Sequence, residues 1–380
     1  MNIKKNSKNI FSVDGKIILT VFFGFLLAVQ IYAQPGRLDL NFKNVLAPGA
    51  EVNVIETALD GKILVAGKIT TRGGVVRREI VRLNADGSLD PTFDFGTANP
   101  NIRIKFMKAL SDGKILIAGD FAQVNGVYSP GVARLNTDGS VDTSFQSAIE
   151  ITFVYDFVIQ ADGKILVSGV NSIGWWFVRR LNANGSLDAT FDGAPYSAVA
   201  FVPAENKILI GAREGSSQRR LRRIGLDGQQ DTVFSAVVTG VENNFYMKPL
   251  ADGKIVIWGK FETVNGVVRP NLAILNNDGS LYETFNPAIV SLEVVNAVAA
   301  QPNGKIIVGF GNSLSPFYIA PRKLVRFNAN GTVDTTFNQG KGPNNAVKAL
   351  KIRSNGKLLI GGTFFRYHIF PRSGLAQIQL

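Results

Sequence analysis

The chain has 380 residues, a formal net charge of +12, one histidine and no cysteine. That inventory excludes disulfides, zinc sites built from His and Cys, and a Cys–His nucleophile pair. It also implies no cofactor, and a Ser–His–Asp triad would have to use His368.

Residues 1–33 read as a secretory signal peptide. Lys4, Lys5, Lys8 and Lys16 form a basic start, Ile17 to Tyr32 is an apolar run, and Ala33 is the small residue before Gln34-Pro35. The run is short and is followed by turn-rich sequence, which favours a cleaved leader over an uncleaved anchor. Residues 34–380 are then expected in the periplasm or outside the cell, monomeric and without a stable membrane span. Losing four lysines and Asp14 lowers the net charge to +9. An exported chain of this charge is not expected to have a nucleic-acid partner; a glycan or a cell-envelope protein fits better.

The first element of the mature chain is Gly36-Arg-Leu-Asp-Leu-Asn-Phe42, a copy of a motif whose full form is Asn84-Ala-Asp-Gly-Ser-Leu-Asp-Pro-Thr-Phe93. The motif ends again at Phe145, Phe191, Phe234, Phe285 and Phe337, at intervals of 43 to 52 residues. A second marker, Asp60-Gly-Lys-Ile-Leu-Val-Ala-Gly67, also has seven copies, with its lysine at 62, 114, 164, 207, 254, 305 and 357. Such a period signals one supersecondary unit used many times.

Each unit reads as four strands, A to D. Strand A precedes the Asp-Gly-Lys turn, B is the Lys-Ile-Leu-Val-Ala-Gly stretch, C ends in Arg-Leu-Asn and D is Ser-Leu-Asp-x-Thr-Phe. Strand B is apolar at consecutive positions, so both of its faces must be covered. The last unit stops at Leu380 without a strand D, and residues 36–42 carry that strand without the rest of a unit. The fold predicted is all-β: a seven-bladed β-propeller over 34–380, with four-stranded antiparallel blades. The ring would be closed by 36–42 completing the last blade, whereas an open solenoid would leave both edge strands bare.

The C–D turn can be derived from its residues. A three-residue loop with Gly87 in the left-handed region pairs Asn84 with Ser88 and sets Arg82 opposite Asp90. The same register pairs Arg134 with Asp142, Arg180 with Asp188, Arg223 with Asp231 and Arg326 with Asp334. Unit five has Ile274 and Tyr282 there instead, and the split unit has Gln377 and Asp39. The recurring lysine of the A–B turn could make a ring of charge on one face, or pack its stem along the strand with its amine in water.

In its Gly-Lys-Ile-Leu-Val-x-Gly stretches, Asn-Gly-Val at 125–127 and 265–267, and Arg-Leu-Asn-x-Asp-Gly-Ser-Leu-Asp-x-Thr-Phe, the chain resembles the delta-60 repeat β-propellers. The resemblance covers residues 36–380 and implies an exported bacterial propeller with a generally unassigned role. It implies no catalytic residues.

Variable B–C and D–A loops, on the face opposite the uniform turns, are where function is expected. Their candidate ligand-binding residues are Trp175, Trp176, Phe317, Tyr318, Arg366, Tyr367 and His368. Aromatics beside arginines suit a carbohydrate or a protein partner, although the same rings can simply cover blade edges. The function predicted is a non-catalytic recognition or scaffold module. The alternative is a polysaccharide-acting hydrolase or lyase using carboxylates such as Glu150, Asp192, Glu214 or Glu293. The Asn-x-Asp-Gly segments read as turns rather than calcium loops, so no metal site is expected.

Overall fold

The computed structural model describes residues 11–13, 16–18, 34–71, 79–96, 102–191, 196–202, 205–241, 245–290, 293–311, 323–337 and 342–380. The leader expected over 1–33 lies almost wholly outside them. Among the described residues there is no α-helix, and hence no helix long and apolar enough to cross a membrane.

From Glu51 onward the chain forms seven antiparallel meanders, counted among the described residues. Their A strands are Glu51–Thr57, Arg103–Ala109, Phe153–Ile159, Tyr196–Val202, Phe245–Pro249, Val295–Ala300 and Val347–Ile352. Each pairs with a B strand that pairs in turn with C, as Ile63–Lys68 does with Ile80–Leu83 in unit one. Neighbouring A strands lie against one another except between units five and six, where the A strand of unit six lies against the B strand of unit five, and the A strand of unit seven lies against that of unit one.

The consecutive apolar residues of strand B serve two interfaces. Ile63 and Val65 pack with Ala349, Leu359 and Leu375 of unit seven, whereas Leu64 and Ala66 pack with Met107, Ile115 and Ile117 of unit two. Burying one such side chain contributes about 1.5–3 kcal/mol. The motif phenylalanines reach forward in the same way. Phe93 enters the cluster of unit two, Phe145 that of unit three, and Phe42 that of unit one.

Strand D differs from expectation. Most sheets have three strands, and the segment expected as the fourth makes a single bridge, such as Leu83 with Leu89 or Leu275 with Leu281. An aspartate cap marks the bend in most units, although unit five, with Tyr282 at that position, also stops after one bridge. Asp90 Oδ1 accepts from the Thr92 amide at 3.0 Å and its hydroxyl at 2.7 Å, folding the backbone away after one pair. In unit four Val233 replaces that threonine, and the B–C connection is a tight hairpin that prolongs strand C to Gln218. There the fourth strand, Gln230–Thr239, does run alongside, with a register shift, and goes on to pair with Thr263–Val264. At the split unit, Leu38 bridges Ile378, the Gly36 amide donates to Gln379 O at 2.8 Å, and Asp39 accepts from Gln377 Nε2 at 2.7 Å.

The C–D turns hold their neighbours. Asn84 N donates to Ser88 O at 2.8 Å, and Gly87 has φ 87°. A Cβ on Gly87 would also stand 2.2 Å from Lys43 O, because the previous unit's backbone crosses there. The Lys43, Asp94, Gln146, Ser235 and Asn286 amides each donate to the next C–D turn. Nε–Oδ2 distances are 2.7 Å for Arg82–Asp90, 2.6 Å for Arg134–Asp142, 2.7 Å for Arg180–Asp188, and 2.9 Å for both Arg223–Asp231 and Arg326–Asp334. Each guanidinium also lies over its motif phenylalanine, at 4.6 to 5.3 Å from the centroid. Arg134 and Arg180 reach on to Ala183 O and Leu226 O of the following turn, at 2.8 and 2.7 Å. In unit seven, where Gln377 stands in the arginine position, Arg353 approaches from the A–B turn. It donates to Gln377 Oε1 at 2.5 Å and to Ala85 O of unit one at 2.8 Å.

The recurring lysine is the third member of this network. Lys114, Lys164, Lys305 and Lys357 approach Asp142, Asp188, Asp334 and Asp39 at 2.7 to 2.9 Å, and Lys62 approaches Asp90 at 3.1 Å. Without a motif aspartate in unit five, Lys254 turns to Asp252 at 2.8 Å and lies over the Tyr282 ring. These lysines are therefore tied in ion pairs.

Six A strands, among the described residues, carry a bulge at Asn53, Lys105, Tyr155, Ser197, Asn296 and Lys348. The glycine ending strand B makes room for it: a Cβ on Gly119 would lie 2.0 Å from Arg103 O. A bulge re-aims the side chain it adds. Lys105 Nζ donates to Val154 O of unit three at 2.9 Å, Asn296 Nδ2 to Val347 O at 3.1 Å, and Lys348 Nζ lies 3.4 Å from Glu51.

Candidate functional site

The loop residues expected to bind a ligand fall into two groups. Both tryptophans belong to unit three: Trp175 ends the turn after Ile165–Val170, and Trp176 opens the strand Trp176–Leu181. The turn is fixed by Asn171, whose Oδ1 accepts from the Ile173 and Trp175 amides at 3.2 and 2.9 Å. Trp175 is 72% exposed at its tip. Trp176 is half-buried and stacks on Tyr155, centroids 4.5 Å apart and planes 10° apart. The Lys105 ammonium stands 5.6 Å from the Tyr155 centroid and 2.8 Å from Asp120, so an ion pair borders the stack. Phe317 and Tyr318 lie outside the described residues.

Arg366, Tyr367 and His368 belong to a small hairpin in unit seven, Arg366–Tyr367 paired with Phe370–Pro371. Units two and five carry the same hairpin, with Asn125 and Asn265 at the turn at φ 48° and 50°. His368 holds the corresponding position at φ 53°, and its amide donates to Gly342 O at 2.8 Å. Tyr367 is 1% exposed and its hydroxyl donates to Gly36 O, so it anchors the segment that bridges the last strand. Burial pushes its phenol far above the ordinary tyrosine range. Tyr367 and His368 line a cavity of about 200 Å³ with residues 34–38 and Leu40. Arg366 is exposed beside Phe365.

Of the carboxylates weighed for catalysis, Asp192 lies outside the described residues. Glu214 is held by Arg220 at 2.7 Å, and that hydrogen bond keeps its pKa below the usual range, opposite to the need of a general acid. Glu293 accepts from the Val290 amide at 3.1 Å, and Glu150 is exposed. A groove of about 560 Å³ opens on the turn face between units one and two, but its Lys62 and Arg82 are already joined to Asp90.

A convergence that the loop-centred reading missed lies among the A strands. Glu56 of unit one, Lys108 of unit two and Lys351 of unit seven meet there: Lys351 bonds Glu56 Oε1 and Lys108 stands 3.8 Å from Oε2. Lys248 of unit five is close enough to feel all three charges. The available signal was positional. All four residues fall four places before the Asp or Asn that opens the A–B turn.

Comparison with known proteins follows this geometry. Residues 59–93, 110–145, 160–191, 250–285 and 322–337 match a β-propeller domain of unknown function (DUF5122). No curated protein matches the sequence. Among solved structures, the β-propeller domain of the Trilobed protease from Pyrococcus furiosus, described as having an open velcro topology, is similar at TM-score 0.53 and 12% identity. The match covers 87% of this chain and 95% of that one. The GH74 xyloglucanase from Xanthomonas campestris is similar at TM-score 0.55 and 12% identity, over 88% of this chain and 55% of that one. A gluconolactonase from Xanthomonas campestris matches at TM-score 0.43 and 11% identity, over 89% of this chain and 88% of that one. The repeats, the five matched segments and the two neighbours above TM-score 0.5 together make this chain a β-propeller protein.

Proposed function

We propose that the chain is an exported propeller of seven blades that recognises a carbohydrate through its loop face. In this reading the seven meanders are blades, each D segment is a rudimentary fourth strand, and residues 36–39 complete the last blade and close the ring. Support for closure comes from the Leu38–Ile378 bridge, the Asp39–Gln377 bond and the entry of Phe42 into the core of unit one. The observation that carries the ligand class is Trp175, an indole standing 72% exposed on a turn held by Asn171, beside the Tyr155–Trp176 stack. A flat ring held rigid in water suits the apolar face of a sugar, and ordering it on binding costs little entropy. Catalysis is not part of this reading, since Glu214 is locked to Arg220.

The test is a glycan array probed with the purified chain and with Trp175→Ala. Binding to a neutral oligosaccharide that falls at least tenfold in the variant, with an unchanged melting temperature, is expected. Equal binding by both proteins, or release of shortened glycan products, would overturn the reading.

A further inference from the structure

Glu56, Lys108, Lys248 and Lys351 occupy one repeat position. Each pairs with the second residue of its B strand: Leu64, Leu116, Val256 and Leu359 respectively. Strands otherwise rich in buried apolar residues thus bring three ammonium groups and one carboxylate to one level. Glu56 is almost fully used. Its side chain is 9% exposed, and Oε1 accepts from the Thr57 amide at 2.7 Å as well as from Lys351. Lys108 reaches only as far as 3.8 Å from Oε2, with half of its side chain in solvent.

Lys248 is the group left over. Its side chain keeps contact with solvent. Among the described residues no carboxylate lies within 4 Å of its ammonium. Burial lowers its pKa, the charges of Lys351 and Lys108 lower it further, and Glu56 opposes them. Three cations against one anion at the same repeat position leave a net positive charge there, which attracts anions.

We infer that Lys108, Lys248 and Lys351 form an oxyanion-binding site, which takes the carboxylate of an acidic sugar or a phosphate group. An oxyanion there gives Lys248 the partner it lacks and offsets the repulsion among the three amines. Glu56, in contact with Lys351 and 3.8 Å from Lys108, offsets one of these charges, and the oxyanion answers the positive charge that remains. The site does not depend on Trp175.

The experiment is a melting-temperature titration of the purified chain with inorganic phosphate, glucuronate and glucose, ionic strength being held constant with chloride. A saturable rise with phosphate or glucuronate and none with glucose is expected, and the anion that gives it distinguishes the two sources. Lys248→Met should weaken the apparent affinity at least tenfold. Without anion it should melt no lower than the parent chain, because it removes a cation facing two others. Lys108→Met, at a half-exposed position, should weaken binding in the same direction, and Lys68→Met, at an exposed end of strand B, should not. No rise with either anion, or an undiminished rise in Lys248→Met, overturns the site. Trp175→Ala should respond to anion like the parent, so loss of neutral-glycan binding alone refutes only the loop-face reading.

Discussion

Replacing Asp39 with asparagine tests how the two ends of the chain are held. Asp39 Oδ2 accepts from Lys357 Nζ and Gln377 Nε2, each at 2.7 Å, and Oδ1 accepts from the Asn41 amide at 3.0 Å. Asparagine keeps the shape and one acceptor but loses the charge. A hydrogen bond to a charged group contributes about 1.5–3 kcal/mol. Lys357 is about one-third exposed, and screening reduces its share, so the expected loss at pH 7 is about 1–2 kcal/mol. Urea unfolding gives that difference. Hydrogen exchange locates it, since the amides of Gly36 and Gln379, bonded across the junction, should lose protection first.

Acid supplies the sign. Burial pushes the Asp39 carboxyl up, but the bonds from Lys357, Gln377 and Asn41 outweigh it and leave the pKa lowered. The carboxylate's contribution is therefore complete above the unfolded value of about 3.9 and is lost as pH falls through the folded value. The gap between parent and Asp39→Asn should be full at pH 7 and narrow below about pH 4. Identical urea midpoints at pH 7, or a gap that widens on acidification, would refute the reasoning.

Two further outcomes follow from local geometry. Gly87→Ala, with a Cβ 2.2 Å from Lys43 O at φ 87°, should cost about 2–4 kcal/mol. Gly126→Ala, at φ 82° with nothing within 4 Å, should cost only the left-handed penalty of about 1–2 kcal/mol; thermal melts compare them. Tyr246, whose pKa is raised to about 12 by burial and then by the charge of Asp156, should ionise well above the ordinary tyrosine range. Its phenolate absorbance in a spectrophotometric titration checks this, and an early transition lost in Tyr246→Phe would contradict it.

The repeat was legible because its information is local. Asn84 to Phe93 specifies a turn, a capped aspartate and an arginine two residues before the turn, and short-range chemistry sets each of them. The lysine of the A–B turn was harder to place, since its partner Asp90 comes from the other hairpin of the same sheet, 28 residues away. Strand D was over-read as a full strand. Its segments make one bridge each, with the aspartate cap or, in unit five, without it, and the degraded fourth copy, beside the prolonged strand C of unit four, runs longest. His368 drew attention as the lone histidine, but its backbone conformation is that of Asn125 and Asn265. Glu56, Lys108, Lys248 and Lys351 were passed over because their meeting depends on how sheets distant in sequence are arranged.

The two ends of the sheets are tied to their neighbours by different means. At the turns, guanidinium and amide groups reach backbone carbonyls, which any sequence supplies. At the opposite end, the residues added by the bulges, Lys105, Asn296 and Lys348, reach across by their side chains. A bulged residue stands outside the alternation that fills the interior, so exchanging it leaves hydrophobic packing intact. The loop end can thus be diversified one position at a time while the turn end stays constant, giving a scaffold whose specificity is free to drift and whose assembly is not.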